Sequence, residues 1–319
     1  MLTKGIIFPL ACLVGLLLCN PVRGEPAKGA SAEKAKSANA FLRLARDKSG
    51  SPTSLSTSLV RLVPQDRGRT SPTLDLIAAV HVADKAYYAE LNRLFEKYDA
   101  VLYELVAPEG TRIPKDGARR SSHPVSMIQK LMSDVLELQF QLEGIDYTAK
   151  NLVHADMSPE QVAKSMQARG ESVWSAMLRM MGYAMARQAN DTAGSSDARL
   201  LMALFDKNQA LALKRVMAEQ FDDFQGSLDA LEGPKGSTLI AERNRAALGV
   251  LRKQIAAGKQ KLAIFYGGAH MPDFERRLRD DFGLVRLSER WLTAWDLTDP
   301  RKPGTATPES GPKPAPAKK

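Results

Sequence analysis

The sequence contains four histidines, His81, His123, His154 and His270. Two of them directly follow apolar runs of strand length: His81 after Leu74–Val80 and His270 after Leu262–Tyr266 and a Gly267-Gly268-Ala269 turn. A third apolar run, Ala100–Leu105, carries the lone acid Glu104 near its end. An imidazole at a strand end can bind a metal or move a proton. Two imidazoles and a carboxylate make an N,N,O donor set suited to Zn²⁺, Mn²⁺, Fe²⁺ or Co²⁺. Such a metal lowers the pKa of a water and polarises a carbonyl. The same spacing also describes two turn histidines with no ligand. Glu104 has three open roles: ligand, general base, or ion-pair partner for an arginine such as Arg243, since a carboxylate after an apolar strand needs compensation. Arg243 and Asn244 are neighbours on a helical stretch and do not share one face squarely. One of them can meet substrate or a developing oxyanion while the other ties to the sheet; equally, both can face solvent. His154 and Asp156 form a weaker pair, standing behind the site or capping a helix. His123 falls in a loop, incidental or a mobile substrate contact.

The elements that would position these groups follow from periodicity. Leu74–Val80, Ala86–Tyr98 and Ala100–Leu105 read as strand, helix, strand, with Tyr87, Leu91, Leu94 and Phe95 at helical spacing. The crossover rule makes the two strands parallel, and we expect them to be neighbours. In sheets of that kind chemistry sits beyond the carboxyl ends of the strands, which places His81 and Glu104 at one edge. Leu59–Val63 is the first strand expected and forms a hairpin with Leu74–Val80. Pro108–Ser122 is a loop, and Pro124–Leu142 a helix. Ser158, Pro159 and Gln161 spell a capping box opening another helix. Helix continues over Val162–Ala189 and Asp197–Phe224, and Ser237 or Thr238 caps the helix that carries Arg243. The methionines Met166, Met177, Met180, Met181 and Met185 have helical spacing, which favours packing over metal binding. Phe274–Asp281 reads as a short helix, and Leu284–Leu287 and Trp291–Leu297 as closing strands. The expected fold is α/β: a mixed central sheet built from the N- and C-terminal segments, with a large helical insertion or cap.

Charge and composition set the surroundings. Lys4, the apolar run Ile6–Cys19, and small residues at Val22 and Gly24 make residues 1–24 a secretory signal peptide. An uncleaved anchor, or lipidation at Cys19, is the alternative. Both cysteines lie in that leader, so the processed chain would have no disulfide or thiol chemistry. Residues 25–54 read as a flexible linker, 55–298 as a single domain with a helical insertion over about 124–235, and 299–319 as a disordered Pro/Lys-rich tail. The formal net charge of +9 sits in the leader, the linker and the tail, leaving residues 49–299 neutral. A neutral body argues against a nucleic-acid surface, while the basic ends can touch an anionic membrane surface weakly. No Walker loop, dinucleotide fingerprint, HExxH or GxSxG is present.

Taken in order, the motifs resemble the TraB/PrgY/GumN family, which includes the Tiki proteins. They are Ala78-Ala79-Val80-His81, Tyr87-Tyr88, Val101-Leu102-Tyr103-Glu104, Gly144-Ile145-Asp146-Tyr147 with His154-Ala155-Asp156, Glu242-Arg243-Asn244, and Gly267-Gly268-Ala269-His270. They span roughly residues 58–297. Ala78 stands where the family's first motif has Gly, and its methyl group would crowd a close backbone approach. The resemblance implies a mixed α/β fold and a metal-dependent peptidase or hydrolase site. In that site His81, Glu104 and His270 hold a divalent metal, Mn, Co or Zn, or Glu104 serves as base, with Arg243 or Asn244 steadying the oxyanion. The expected partner is a peptide or protein substrate, and the expected location is periplasmic or secreted. The alternative is a non-catalytic envelope protein that sequesters a peptide. Oligomeric state is left open.

Overall fold

A computed structural model describes residues 41–66, 72–108, 110–111, 113, 136, 138–172, 195–231 and 237–299. The proposed leader, most of the linker, the tail, His123, and the methionines from Met177 to Met185 lie outside the described residues.

The centre is a mixed seven-stranded sheet. Its strands are β1 (Leu42–Arg46), β2 (Pro52–Pro64), β3 (Thr73–Ala79), β5 (Ala100–Tyr103), β7 (Leu152–His154), β8 (Lys261–Gly267) and β9 (Leu284–Asp296). A two-stranded ribbon joins β4 (Val82–Ala83) to β6 (Gln139–Phe140). The helices are α1 (Lys85–Phe95), α2 (Pro159–Ala168), α3 (Ser195–Leu204), α4 (Gln209–Leu231), α5 (Arg243–Ala256) and α6 (Met271–Phe282). Among the described residues no helix is long and apolar enough to cross a membrane.

Four strands run parallel in the order β3-β8-β5-β7. β2 pairs antiparallel with β3, placing Leu62 opposite Leu74, so the expected hairpin forms. β9 lies antiparallel along β2 from Leu284 to Asp296. The sheet is thus assembled from both ends of the sequence, with helices between, as the sequence led us to expect.

Why these runs read as continuously apolar is visible in the core. In β3, Leu74, Leu76 and Ala78 belong to one buried cluster and Ile77 and Ala79 to another. β8 divides the same way: Leu262, Ile264 and Tyr266 on one side, Ala263 and Phe265 on the other. Strand side chains alternate between faces, and a parallel sheet covered on both faces needs apolar residues at every position. α1 contributes Tyr87, Tyr88, Leu91, Leu94 and Phe95 to the cluster of Ile77 and Ala79. α5 and α6 contribute Ala247, Leu248, Leu251, Phe274 and Leu278 to the cluster of Leu74, Leu76 and Ala78. α6 ends at Gly283, whose φ of 67° is the left-handed conformation a glycine adopts without strain.

Several expectations need correction. β3 and β5 are not neighbours, because β8 lies between them. The local strand-helix-strand pattern specifies that the strands are parallel but not whether a distant strand inserts. β8, apolar on both faces and buried from Leu262 to Tyr266, gains most by taking the central place. The linker expected over 25–54 contains β1 and the start of β2, which pair with one another. Leu-Arg-Leu-Ala-Arg and the Ser/Thr-rich opening of β2 carry little hydrophobic signal, and the pairing supplies what composition lacks. The insertion over 124–235 is not purely helical, since β6 and β7 lie within it. The two closing strands are one strand, β9. Ala78 is fully buried inside β3, its methyl group packed in the α5/α6 cluster, and its carbonyl still accepts a hydrogen bond from Tyr87 Oη at 3.1 Å.

Candidate functional site

Glu104 follows β5, His270 follows β8 and His81 follows β3, so all three emerge at the carboxyl end of the parallel strands. β8, placed between the other two strands, brings its glycine turn against Glu104. The Gly267 N–H donates to Glu104 Oε2 at 2.7 Å. A methyl group at position 267 would stand 3.2 Å from that same oxygen, so the absence of a side chain permits the approach.

Arg243 reaches the cluster from the other direction. Ser237 caps the segment by accepting from the Ile240 N–H. The first turn, Thr238–Glu242, is π-helical before α5 begins. Turns of this kind are frequent at functional sites. The Arg243 Nη2 lies 2.6 Å from Glu104 Oε1 and 2.6 Å from Asp156 Oδ2, and Nε donates to Asp156 Oδ1 at 2.9 Å. The Asp156 side chain has no solvent exposure, and those of Arg243 and Glu104 have 11% each. One guanidinium therefore serves two enclosed carboxylates. Of the roles left open for Glu104, the ion pair with Arg243 is present.

His270 completes the cluster. Its Nε2 lies 3.5 Å from Glu104 Oε1 and 3.5 Å from Arg243 Nη1. Its Nδ1 is 2.6 Å from Asn244 Oδ1, and the Asn244 amide nitrogen donates to the His270 carbonyl and to Asp273. Asn244 is fully buried. Its amide is thus committed to His270 and Asp273, which leaves Arg243, of the two, as the candidate to meet an oxyanion. Arg243 and Asn244 do point to different partners, as their adjacent helical positions require.

The other candidates are spread around this core. Asp156 is inside the cluster. His154 donates Nε2–H to the Leu105 carbonyl at 2.6 Å, pinning the chain just beyond Glu104. His81 is exposed, with Nδ1 3.2 Å from Gln141 Oε1. Tyr88 Oη donates to the Val80 carbonyl at 3.0 Å, so α1 holds the turn leading to His81. Gln141, Tyr147, Tyr266 and Asp273 were not recognised in the sequence as parts of the site. Tyr147 belongs to a motif already noted. Gln141 falls near the end of the helix expected over Pro124–Leu142, and Asp273 lies three residues beyond His270.

Electrostatics follow from enclosure. Burial alone would raise the Glu104 carboxyl, but Arg243, His270, His81 and the Gly267 N–H together hold it well below the usual carboxylate range. His270 is pushed down to about 4 from its ordinary 6.5, by burial first; attraction to Glu104 does not offset this, and Arg243 adds repulsion. At neutral pH the cluster holds ionised Glu104 and a neutral imidazole.

A stability prediction results for the metal-free protein. Between pH 6.5 and about 4 the unfolded His270 takes a proton that the folded one refuses. The contribution is complete above 6.5 and is lost as pH falls through this window. Denaturant titrations across the window should show the parent losing stability more steeply than His270→Gln. Equal slopes would mean that His270 is not enclosed as described.

Comparison of the chain with protein-family models, characterised proteins and solved structures finds no match. The likeness to TraB/PrgY/GumN proteins therefore rests on the motifs alone.

The donor chemistry bears directly on a metal. Glu104 Oε1 and His270 Nε2 face one another at a separation that one cation can bridge. His81 keeps a ring nitrogen clear of Gln141 but does not join the other two. Among the described residues, no group of three or more His, Cys, Asp or Glu side chains is placed to hold a metal. The residues thus offer a divalent cation two donors, Glu104 and His270, with the second ring nitrogen of His81 as a candidate third.

Proposed function

We propose that this chain is a metal-dependent hydrolase that cleaves peptides in the cell envelope or outside the cell. The observation that carries the reading is the meeting of the Glu104 carboxylate and His270 Nε2, 3.5 Å apart, beyond the carboxyl ends of β5 and β8. Glu104, His270 and His81 would hold Mn²⁺, Co²⁺ or Zn²⁺. When bound, such a cation supplies Lewis-acid polarisation of a scissile carbonyl and lowers the pKa of a water. Glu104 stays ionised, which suits it to hold a cation rather than to take up a proton, since its carboxyl is held well below the usual range. Arg243 keeps Glu104 oriented and is the cation nearest to any negative charge that develops on substrate. The resemblance in motifs and the signal-peptide pattern support a peptide substrate and export.

One observation favours a second reading. Arg243 already pairs with both Glu104 and Asp156, so each carboxylate has a cationic partner without a metal. A peptide-sequestering protein of the envelope would need no more. Metal content of untagged, dialysed protein after exposure to Mn²⁺, Co²⁺ or Zn²⁺ separates the two. Stoichiometric metal in the parent, lost in folded His81→Ala and His270→Ala, is the expected result and would be followed by a peptide-cleavage screen. Saturable peptide binding without turnover, indifferent to chelator, would establish the second reading instead.

A further inference from the structure

The two strand-end histidines share an arrangement that their sequence motifs do not explain. Each has its Nδ1 against the oxygen of a side-chain amide: Asn244 Oδ1 at 2.6 Å for His270, and Gln141 Oε1 at 3.2 Å for His81. We propose that Asn244 and Gln141 are positioning residues that hold both imidazoles in one tautomer, with the proton on Nδ1 and the lone pair on Nε2. This rests on reading His81 and His270 as the working groups of the site.

At His270 the Asn244 amide can sit only one way round. The Asn244 NH₂ faces the His270 carbonyl at 3.0 Å and an Asp273 oxygen at 2.9 Å. An ionised carboxylate and a carbonyl only accept, so the amide cannot be turned round without placing oxygen against oxygen. Asp273 is held in turn by Arg276 and by Arg277, the latter at 2.6 Å. Asn244 Oδ1 therefore faces Nδ1, and an amide oxygen is an acceptor, so the proton belongs on Nδ1. On the far side Nε2 lies 3.5 Å from Arg243 Nη1, which cannot accept, and 3.5 Å from Glu104 Oε1, which can. The shorter Nδ1 contact decides, and a neutral ring with its proton there has the lone pair on Nε2.

At His81 the same logic runs through Tyr147. Gln141 Nε2 donates to Tyr147 Oη at 2.9 Å, which leaves Oε1 for the ring. The Gln141 N–H donates to the His81 carbonyl at 2.9 Å, so backbone and side chain clamp the residue together. Tyr147 is a hydroxyl that can donate as well as accept, so His81 is where experiment bears hardest on the proposal.

The consequence is chemical. The partner of one ring nitrogen decides which tautomer is present and therefore what the other nitrogen can do. A ring held with Nε2 unprotonated is a ready ligand or proton acceptor. Partners of this kind are worth ~10–100-fold in metal affinity where a histidine is a ligand.

With only four histidines, nitrogen NMR of histidine-labelled, metal-free protein at mildly alkaline pH can assign each ring. In the parent, His81 and His270 should both show a protonated Nδ1 and a bare Nε2. Gln141→Met removes the acceptor at His81 and should move its proton toward Nε2 while leaving His270 unchanged; Asn244→Ala should do the converse. Metal affinity for Mn²⁺ or Co²⁺ should fall ~10–100-fold in Gln141→Met and be retained in Gln141→Glu, which keeps an acceptor. A parent ring protonated on Nε2, or a folded Gln141→Met with an unaltered His81 tautomer, overturns the proposal. Should Asn244→Ala fail to fold, the parent spectrum decides for His270 and Gln141→Met for His81. Tautomers as stated with no metal bound by any form would leave the positioning intact and remove the hydrolase reading; metal bound through rings of the other tautomer would do the reverse.

Discussion

Arg243→Met is expected to cost about 3–5 kcal/mol of folding stability at neutral pH, the range found when one partner of a buried ion pair is removed. The reason is the sharing of a single guanidinium. Its Nη2 is 2.6 Å from both Glu104 and Asp156, and its Nε is 2.9 Å from Asp156. Methionine of similar length would fill much of the space and supply no charge. Two enclosed carboxylates would then face each other without a cation, and each would favour its neutral form. The sign of the pH effect follows. With both carboxyl pKa values raised in the folded variant, the deficit is greatest at neutral pH and shrinks as acid protonates the pair. Urea unfolding at neutral and mildly acidic pH should show that recovery. Arg243→Lys should fall between, because one ammonium cannot reproduce the planar fork that bonds Asp156 through two nitrogens. Adding Asp156→Asn to Arg243→Met should return part of the loss, since residues in one network are not additive. A loss under about 1 kcal/mol, the range of an exposed pair, would show that the cluster is open to water.

Gly144→Ala is expected to destabilise by about 3 kcal/mol, the upper end for an overpacked core. A Cβ at this position would meet Tyr88 at 2.5 Å from Cδ2, 2.5 Å from Cγ and 2.7 Å from Cβ. These atoms are the root of the ring, so rotation of the ring cannot clear them. Tyr88 cannot withdraw either: it is fully buried, stacks edge-on against Tyr87 at 5.2 Å, and donates to the Val80 carbonyl. Val80 immediately precedes His81, so strain at Gly144 should be transmitted to the histidine turn. Thermal or urea unfolding would measure the cost. The double variant Gly144→Ala/Tyr88→Ala separates the causes: if the clash dominates, it should lose clearly less than the two single changes added together. Strict additivity would mean that the helical turn at Gln141–Gly144 simply moves away from α1.

Much of this molecule is readable along the chain, and the readable parts share a physical basis. The buried face of α1 lies in the spacing of Tyr87, Leu91, Leu94 and Phe95, and the structure buries all four. The capping box at Ser158 and Gln161 forms as its residue types require. Glu104, His270, Arg243 and Asp156 were each singled out from position and type. Their assembly was not readable. Arg243 is 139 residues from Glu104, and nothing local states that α5 delivers it there.

The sequence by itself determined that strands carrying His81, Glu104 and His270 would end in polar residues at a sheet edge, because side-chain periodicity and chain reversals act over a few residues. Only the tertiary structure decided that β8 would enter between β3 and β5, that Arg243 would join Glu104 to Asp156, and that His270 would enter this cluster while His81 stayed outside it. Those outcomes depend on which distant surfaces bury the most apolar area while leaving every enclosed charge a partner. That comparison is made over the whole fold, and no single segment contains it.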